Sequence, residues 1–171
     1  MFLSARRLLL IGVIAAVVAV IILLPVILET LSGQGITNVQ ISLSKIQIIP
    51  NESNKTTSLQ VTFALLNPTD KALTTSRIDY ELYANDTSLG NGTVSYQDIP
   101  LNGRPQLYPQ NTIFIPSMFL VEPSKVSPEM YEELSDSRSA EHTTWSVRGV
   151  AQIDSAFTTL PKQFEASIPQ S

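Results

Sequence analysis

Residues 8–28 pass without one charged or polar side chain, and sixteen of these twenty-one are Leu, Ile or Val. Wound as a helix at about 1.5 Å per residue, the block is about 31 Å long. That matches a bilayer hydrocarbon core of about 30 Å. Summed insertion preferences come to about −5 to −10 kcal/mol, which Gly12 and Pro25 do not reverse. The block has no polar face, so it does not read as a helix half-buried on a soluble core. Past Leu28 the pattern changes to short alternating stretches separated by turn residues, the pattern of β-strands.

Val39, Ile41 and Leu43 alternate with polar residues, then Ile46 and Ile48 continue with the opposite parity. The slip predicts a bulge near Ser44 and Lys45. Residues 51–57 are a polar loop, and Leu59, Val61, Phe63 and Leu65 alternate in a second strand that ends at Asn67-Pro68. Proline lacks an amide proton and extends the residue before it. Ile78, Tyr80 and Leu82 mark a third strand. Asn85-Asp86-Thr87-Ser88 supplies a hairpin connection, and a fourth strand runs on to Tyr96 with Gly90 and Gly92 inside it. Residues 102–109 look irregular. Ile113, Ile115, Phe119 and Val121 form an extended stretch interrupted by Pro116. Ser127, Pro128 and Glu129 predict the start of one short helix fading near Ser137. Trp145, Val147, Ala151 and Ile153 share one parity, as do Phe164, Ala166 and Ile168. About seven strands, each with one buried and one wet face, predict antiparallel sheets packed as an all-β, immunoglobulin or fibronectin III-like sandwich with one short helix.

Four segments follow: residues 1–7 as a cytoplasmic N-terminus, 8–28 as a transmembrane helix, 29–35 (Glu-Thr-Leu-Ser-Gly-Gln-Gly) as a flexible tether, and 36–171 as the sandwich ectodomain. Charge sets the orientation. Arg6 and Arg7 precede the apolar block, and all fifteen acidic residues follow it. The positive-inside rule puts the N-terminus in the cytoplasm and the C-terminal domain outside. A cleaved signal peptide is the competing reading. Its apolar region spans about 7–15 residues before a small-residue cleavage site. This block is longer, and neither Glu29-Thr30 nor Leu31-Ser32-Gly33 supplies such a site, so the expectation is an uncleaved single-pass signal-anchor whose partner is the lipid bilayer.

Beyond the block, nine basic residues face fifteen acidic ones, a formal charge of −6. A negative surface with no basic stripe argues against nucleic-acid binding and favours solubility. The absence of cysteine excludes disulfides and thiolate metal sites. His142 is the single histidine and sits in a polar loop. No nucleophile elbow, zinc-ligand spacing or phosphate-cradling glycine loop accompanies it. Glu132 and Glu133 diverge on a helix, and Asp79 and Glu81 share the wet face of a strand. Asn85 and Asp86 lack the regular ligand spacing of calcium loops. The expectation is no catalytic or metal site, no cofactor and no enzyme activity. Asn51, Asn54, Asn85 and Asn91 each head an Asn-X-Ser/Thr acceptor for N-glycosylation. Tyr80 and Trp145 read as core.

One ordered set of residues resembles a known family. A strand ending in Asn67-Pro68 is followed by Leu73, Ile78-Asp79-Tyr80-Glu81-Leu82, Leu89-Gly90-Asn91-Gly92, Ile99-Pro100 and Thr112-Ile113 through Ile115-Pro116; Val147-Arg148-Gly149-Val150 comes later. This order resembles the late embryogenesis abundant (LEA) group 2 family, or water stress and hypersensitive response (WHy) domain, over residues 36–168. Residues 102–109 and 135–143 depart from the family's pattern. The resemblance implies a folded fibronectin III-like sandwich, no enzyme activity, and a role in desiccation or other stress response. It also implies structural parts for Asn67, Pro68, Tyr80, Leu82, Gly90, Gly92 and Gly149. The alternative is an immunoglobulin-like adhesion or envelope-assembly module that binds a protein through a sheet edge or loops.

Overall fold

The computed structural model describes residues 5–51, 56–135, 143–156 and 158–168. An apolar helix, α1 (Ala5–Ile36), leads into strands β1 (Gln40–Asn51), β2 (Thr56–Asn67), β3 (Leu73–Ala84), β4 (Thr87–Ser95), β5 (Gln106–Leu107) and β6 (Asn111–Val121). A short helix, α2 (Pro128–Ser135), precedes β7 (Trp145–Asp154) and β8 (Thr159–Ser167). One sheet has the order β1-β2-β6. The other runs β4-β3-β7-β8, with β5 also on β3. All pairings are antiparallel. This is the expected two-sheet, fibronectin III-like sandwich with one short helix.

Alternation fills the space between the sheets. Leu59, Val61, Phe63 and Leu65 of β2 meet Ile78, Tyr80 and Leu82 of β3 and Val147, Ala151 and Ile153 of β7 in one buried cluster. Phe63 makes edge-to-face contacts with Tyr80 at 4.9 Å and with Phe164 at 5.9 Å between ring centres. The predicted slip in β1 is a register shift between Leu43 and Lys45. It lets Leu43 and Ile46 both point inward. The β3–β4 hairpin has two central residues, Asn85 and Asp86, at φ 47° and 63°. That left-handed pair matches the twist of the flanking strands. Ser127 caps α2 as predicted, its Oγ accepting from the Met130 amide at 3.2 Å.

Three features differ from the sequence reading. Residues 29–35 are helical rather than a flexible tether, since α1 runs unbroken to Ile36. Once a long helix is nucleated, each further residue adds a hydrogen bond at little extra ordering cost, which offsets two glycines. Residues 102–109 are built rather than irregular: they hold a turn of 3-10 helix, Leu101–Gly103, and the two-residue β5. A strand that short shows no alternation to read. Finally, Pro116 does not interrupt β6, which pairs with β2 without a break from Asn111 to Val121. β6 is an edge strand, with one side free of ladder bonds, where a missing amide proton is tolerated.

Candidate functional site

Asn67 is fully buried at the end of β2. Its Nδ2 donates to the carbonyls of Lys71 (2.7 Å) and Leu107 (2.8 Å). Its Oδ1 accepts from the Thr69 amide (3.1 Å) and hydroxyl (2.7 Å). Two donors and two acceptors are all that an amide offers. One side chain thus shapes the crossover to β3 and ties β5 beside it, while Pro68 continues the chain out of the sheet. The sequence marked Asn67-Pro68 as a strand end, and the resemblance implied a structural part for both; which groups the amide binds was not legible there.

Other positions that the resemblance marks also pack within the sandwich. Leu82 is buried. Tyr80 is buried too, and its hydroxyl meets Ser117 Oγ at 2.7 Å, a polar link from β3 to β6 across the core. Burial pushes the Tyr80 phenol above its ordinary value. Gly92 lies opposite Tyr80 in the β3–β4 ladder, and a Cβ there would fall 2.3 Å from the Tyr80 ring. On the other side of β3, a Cβ on Gly149 would fall 2.3 Å from the Asp79 carbonyl oxygen and strike the Phe164 ring. Gly90, at φ 115°, follows the extra residue that shifts the register beside Leu82.

Charged groups gather on the outer face of the β4-β3-β7-β8 sheet. Arg77 pairs with Asp79 at 2.6 Å and Arg148 with Glu165 at 3.0 Å. Arg148 also lies 5.4 Å from the centre of the Tyr83 ring. The Arg77 hydrogen bond holds the Asp79 carboxyl below the usual aspartate range. Hydrogen bonds from Ser88 and then Tyr83 lower Glu81 in the same way. A hollow of about 520 Å³ is lined by Arg77, Asp79, Arg104 and Asp154. Its charges are already paired: Arg104 Nη1 reaches Asp154 at 3.0 Å, and the Thr159 hydroxyl donates to Asp154 at 2.6 Å. The Arg104–Asp154 pair, fifty residues apart in the chain, escaped the sequence reading because no local pattern joins them. Among the described residues no three His, Cys, Asp or Glu side chains are grouped to hold a metal ion.

The opposite outer face is chemically different. Phe114, Met118 and Leu120 form a row along β6, each more than half exposed. Ala64 and Gln60 of β2 lie beside Phe114 and Met118 in register.

The remaining predicted positions lie on several different elements. Asn85 is exposed at the β3–β4 hairpin, with its Oδ1 accepting from the Thr144 amide. Asn91 is exposed on β4. Asn51 closes β1. Asn54 and His142 lie outside the described residues. Glu132 and Glu133 are exposed on α2. Arg6 and Arg7 belong to the first turn of α1. Among the described residues, Leu9–Ile27 is the one helical stretch long and apolar enough to cross a bilayer, and none of it is buried against the protein.

No family model matches the chain, and no curated protein matches it. Solved structures of similar form exist. A protein from Archaeoglobus fulgidus is 12% identical, over 74% of this chain and 94% of its own, with a TM-score of 0.44. A protein from Arabidopsis thaliana is 12% identical, over 75% of this chain and 79% of its own, with a TM-score of 0.47. A further solution structure, described as a late embryogenesis abundant protein, is 14% identical, over 93% of this chain and 89% of its own, with a TM-score of 0.36.

Proposed function

We propose that this chain is a single-pass membrane protein, N-terminus inside and sandwich outside, whose non-enzymatic LEA group 2-like domain protects nearby membrane or envelope components during water loss. One observation carries the membrane part: every side chain of Leu9–Ile27 is exposed. Burying that much apolar surface in water's absence is strongly favourable, and the sandwich does not supply the cover. Arg6 and Arg7 set the orientation. Glycans on Asn51, Asn54, Asn85 and Asn91 would add to the hydrated surface.

The protective part is supported by the motif set itself. Asn67, Tyr80, Gly92 and Gly149 all act in holding the sandwich together, which suits a domain whose task is to stay folded. The test is drying and rehydration of vesicles bearing the full chain and enclosing a dye. Better dye retention than with α1 fused to an unrelated folded domain is expected. Equal retention removes the protective role.

A second reading, an adhesion or envelope-assembly module, is favoured by the exposed row of Phe114, Met118 and Leu120. Such a row rimmed by polar strands is a common binding surface. Saturable capture of one specific partner, lost on changing Met118 and Leu120 to serine, would favour this reading over protection.

A further inference from the structure

The two ends of the sandwich differ in chemistry. At one end lie the β1–β2 turn and the β3–β4 hairpin, with Asn51, Asn85 and Asp86. At the other lie the β2–β3 crossover, the β7–β8 turn, residues 96–110 and the junction with α1. Only three residues separate Ile36 of α1 from Gln40 of β1, and Lys162 Nζ on β8 donates to the Thr37 carbonyl at 2.6 Å. The helix therefore enters this second end at the β1–β8 corner.

Three large apolar side chains stand out in water at the same end: Ile99, Leu101 (58% exposed) and Tyr108 (57%). Their backbone is firmly held. Arg104 Nε donates to the Ile99 carbonyl at 2.9 Å, and Gln106 Nε2 to the Leu101 carbonyl at 2.9 Å. Asn67 binds the carbonyl of Leu107, and Gln110 Nε2 donates to Pro68 at 2.6 Å. Leu101 lines a hollow of about 250 Å³ together with Ala72 and Ala156, which places it among the loops of this end. Residues 99–108 run from β4 toward β6 over this end, and Leu101 reaches as far as the β7–β8 turn beside Ala156.

Reach and charge both allow lipid contact. Beyond Ile27, the nine helical residues to Ile36 add about 13 Å of rise. The headgroup layer occupies about 5–8 Å of that, and a tilt of about 20°, ordinary for such helices, lowers one side further. The charges at this end are balanced, with Asp70 and Asp98 against Lys71 and Lys162, whereas the chain beyond the apolar block is strongly acidic. A tyrosine beside leucine suits the membrane–water boundary, where one part of the ring is apolar and the hydroxyl stays wet.

We propose that residues 99–108 form a second membrane contact, with Leu101 and Tyr108 resting in the headgroup layer of the bilayer that α1 crosses. The domain then stands on two points of one end, the helix at the β1–β8 corner and this apolar loop, and holds a fixed tilt. The inference rests on α1 lying in lipid.

The chain has no cysteine, so single cysteines can be labelled cleanly in the full protein. An environment-sensitive fluorophore is placed in turn at Val18→Cys, Leu101→Cys, Tyr108→Cys and Thr87→Cys, and each protein is reconstituted in phosphatidylcholine vesicles containing a lipid-borne quencher. Several-fold more quenching at 101 and 108 than at 87 is expected, with the strongest at 18. Quenching at 101 and 108 no greater than at 87, while position 18 is quenched, overturns the second contact and leaves the anchor standing. An unquenched label at 18 overturns the anchor as well. Emission from buried Trp145 confirms that each variant is folded, and all three sandwich substitutions fall on exposed side chains.

Discussion

Asn67 shows how one residue can do what several loop residues would otherwise share. Every hydrogen-bonding position of its side chain is used, inside the protein, on groups of the crossover and β5. Asn67→Asp keeps the shape but removes both N–H donors and sets a carboxylate against two carbonyl oxygens. A loss of about 3 kcal/mol is expected, read as an earlier unfolding midpoint in urea. Trp145, the single tryptophan and buried, reports the transition. A second residue-scale expectation concerns acid. Asp79, Glu81 and Glu129 all have carboxyls held below their ordinary values, the last by its own backbone N–H and then by Ser127. Folded values below unfolded ones mean that the stabilisation is present above the ordinary carboxylate range and fades as the pH falls through about 4. The unfolding midpoint should therefore drop between about pH 6 and pH 3, and Asp79→Asn should flatten that slope. Tyr80 and Trp145 were legible as core from parity alone. Glycine within β4 signalled the close approach found at Gly92, but the tasks of Asn67 and Gly149 were not legible, because each depends on a neighbour brought close only by the finished sheet.

Elements were most readable where one face is buried and the other wet. The alternation along β2 announces its strand directly, and the parity slip in β1 announces its bulge. The start of α2 was written in Ser127, Pro128 and Glu129. Ser127→Ala should cost about 1 kcal/mol through the lost cap, seen as a matching fall in the Trp145 unfolding midpoint. Legibility failed where an element is too short or where context overrides local preference. β5 has two residues and no period. Pro116 argues against a strand interior by itself, and only its place at the sheet edge makes it acceptable. Residues 29–35 carry two glycines, yet they continue the helix that precedes them.

The molecule as a whole divides into an apolar helix and a sandwich with a polar surface, and that division was plain in the sequence because it needs no partner to be read. The apolar block differs from everything after it in charge, polarity and period. What the sequence left unread was the placement of surface chemistry around the sandwich. One outer face carries ion pairs, the other an apolar row on β6, and the two ends differ again. These patterns arise from residues far apart in the chain, and topology alone assembles them.

α1 runs unbroken to Ile36 and reaches β1 through only three further residues, so on the proposed membrane reading the helix should act as a rotary shaft for the domain beyond it. Inserting one alanine within residues 29–36 should turn the sandwich by about 100° around the helix axis and lift it by about 1.5 Å. Inserting four alanines should return it nearly to its original phase, one turn higher. If α1 lies in a bilayer as proposed, reactivity of a labelled exposed site toward a fixed neighbour on that membrane should accordingly vary with a period near 3.6 residues. A smooth decline with added length would mean that the shaft slips.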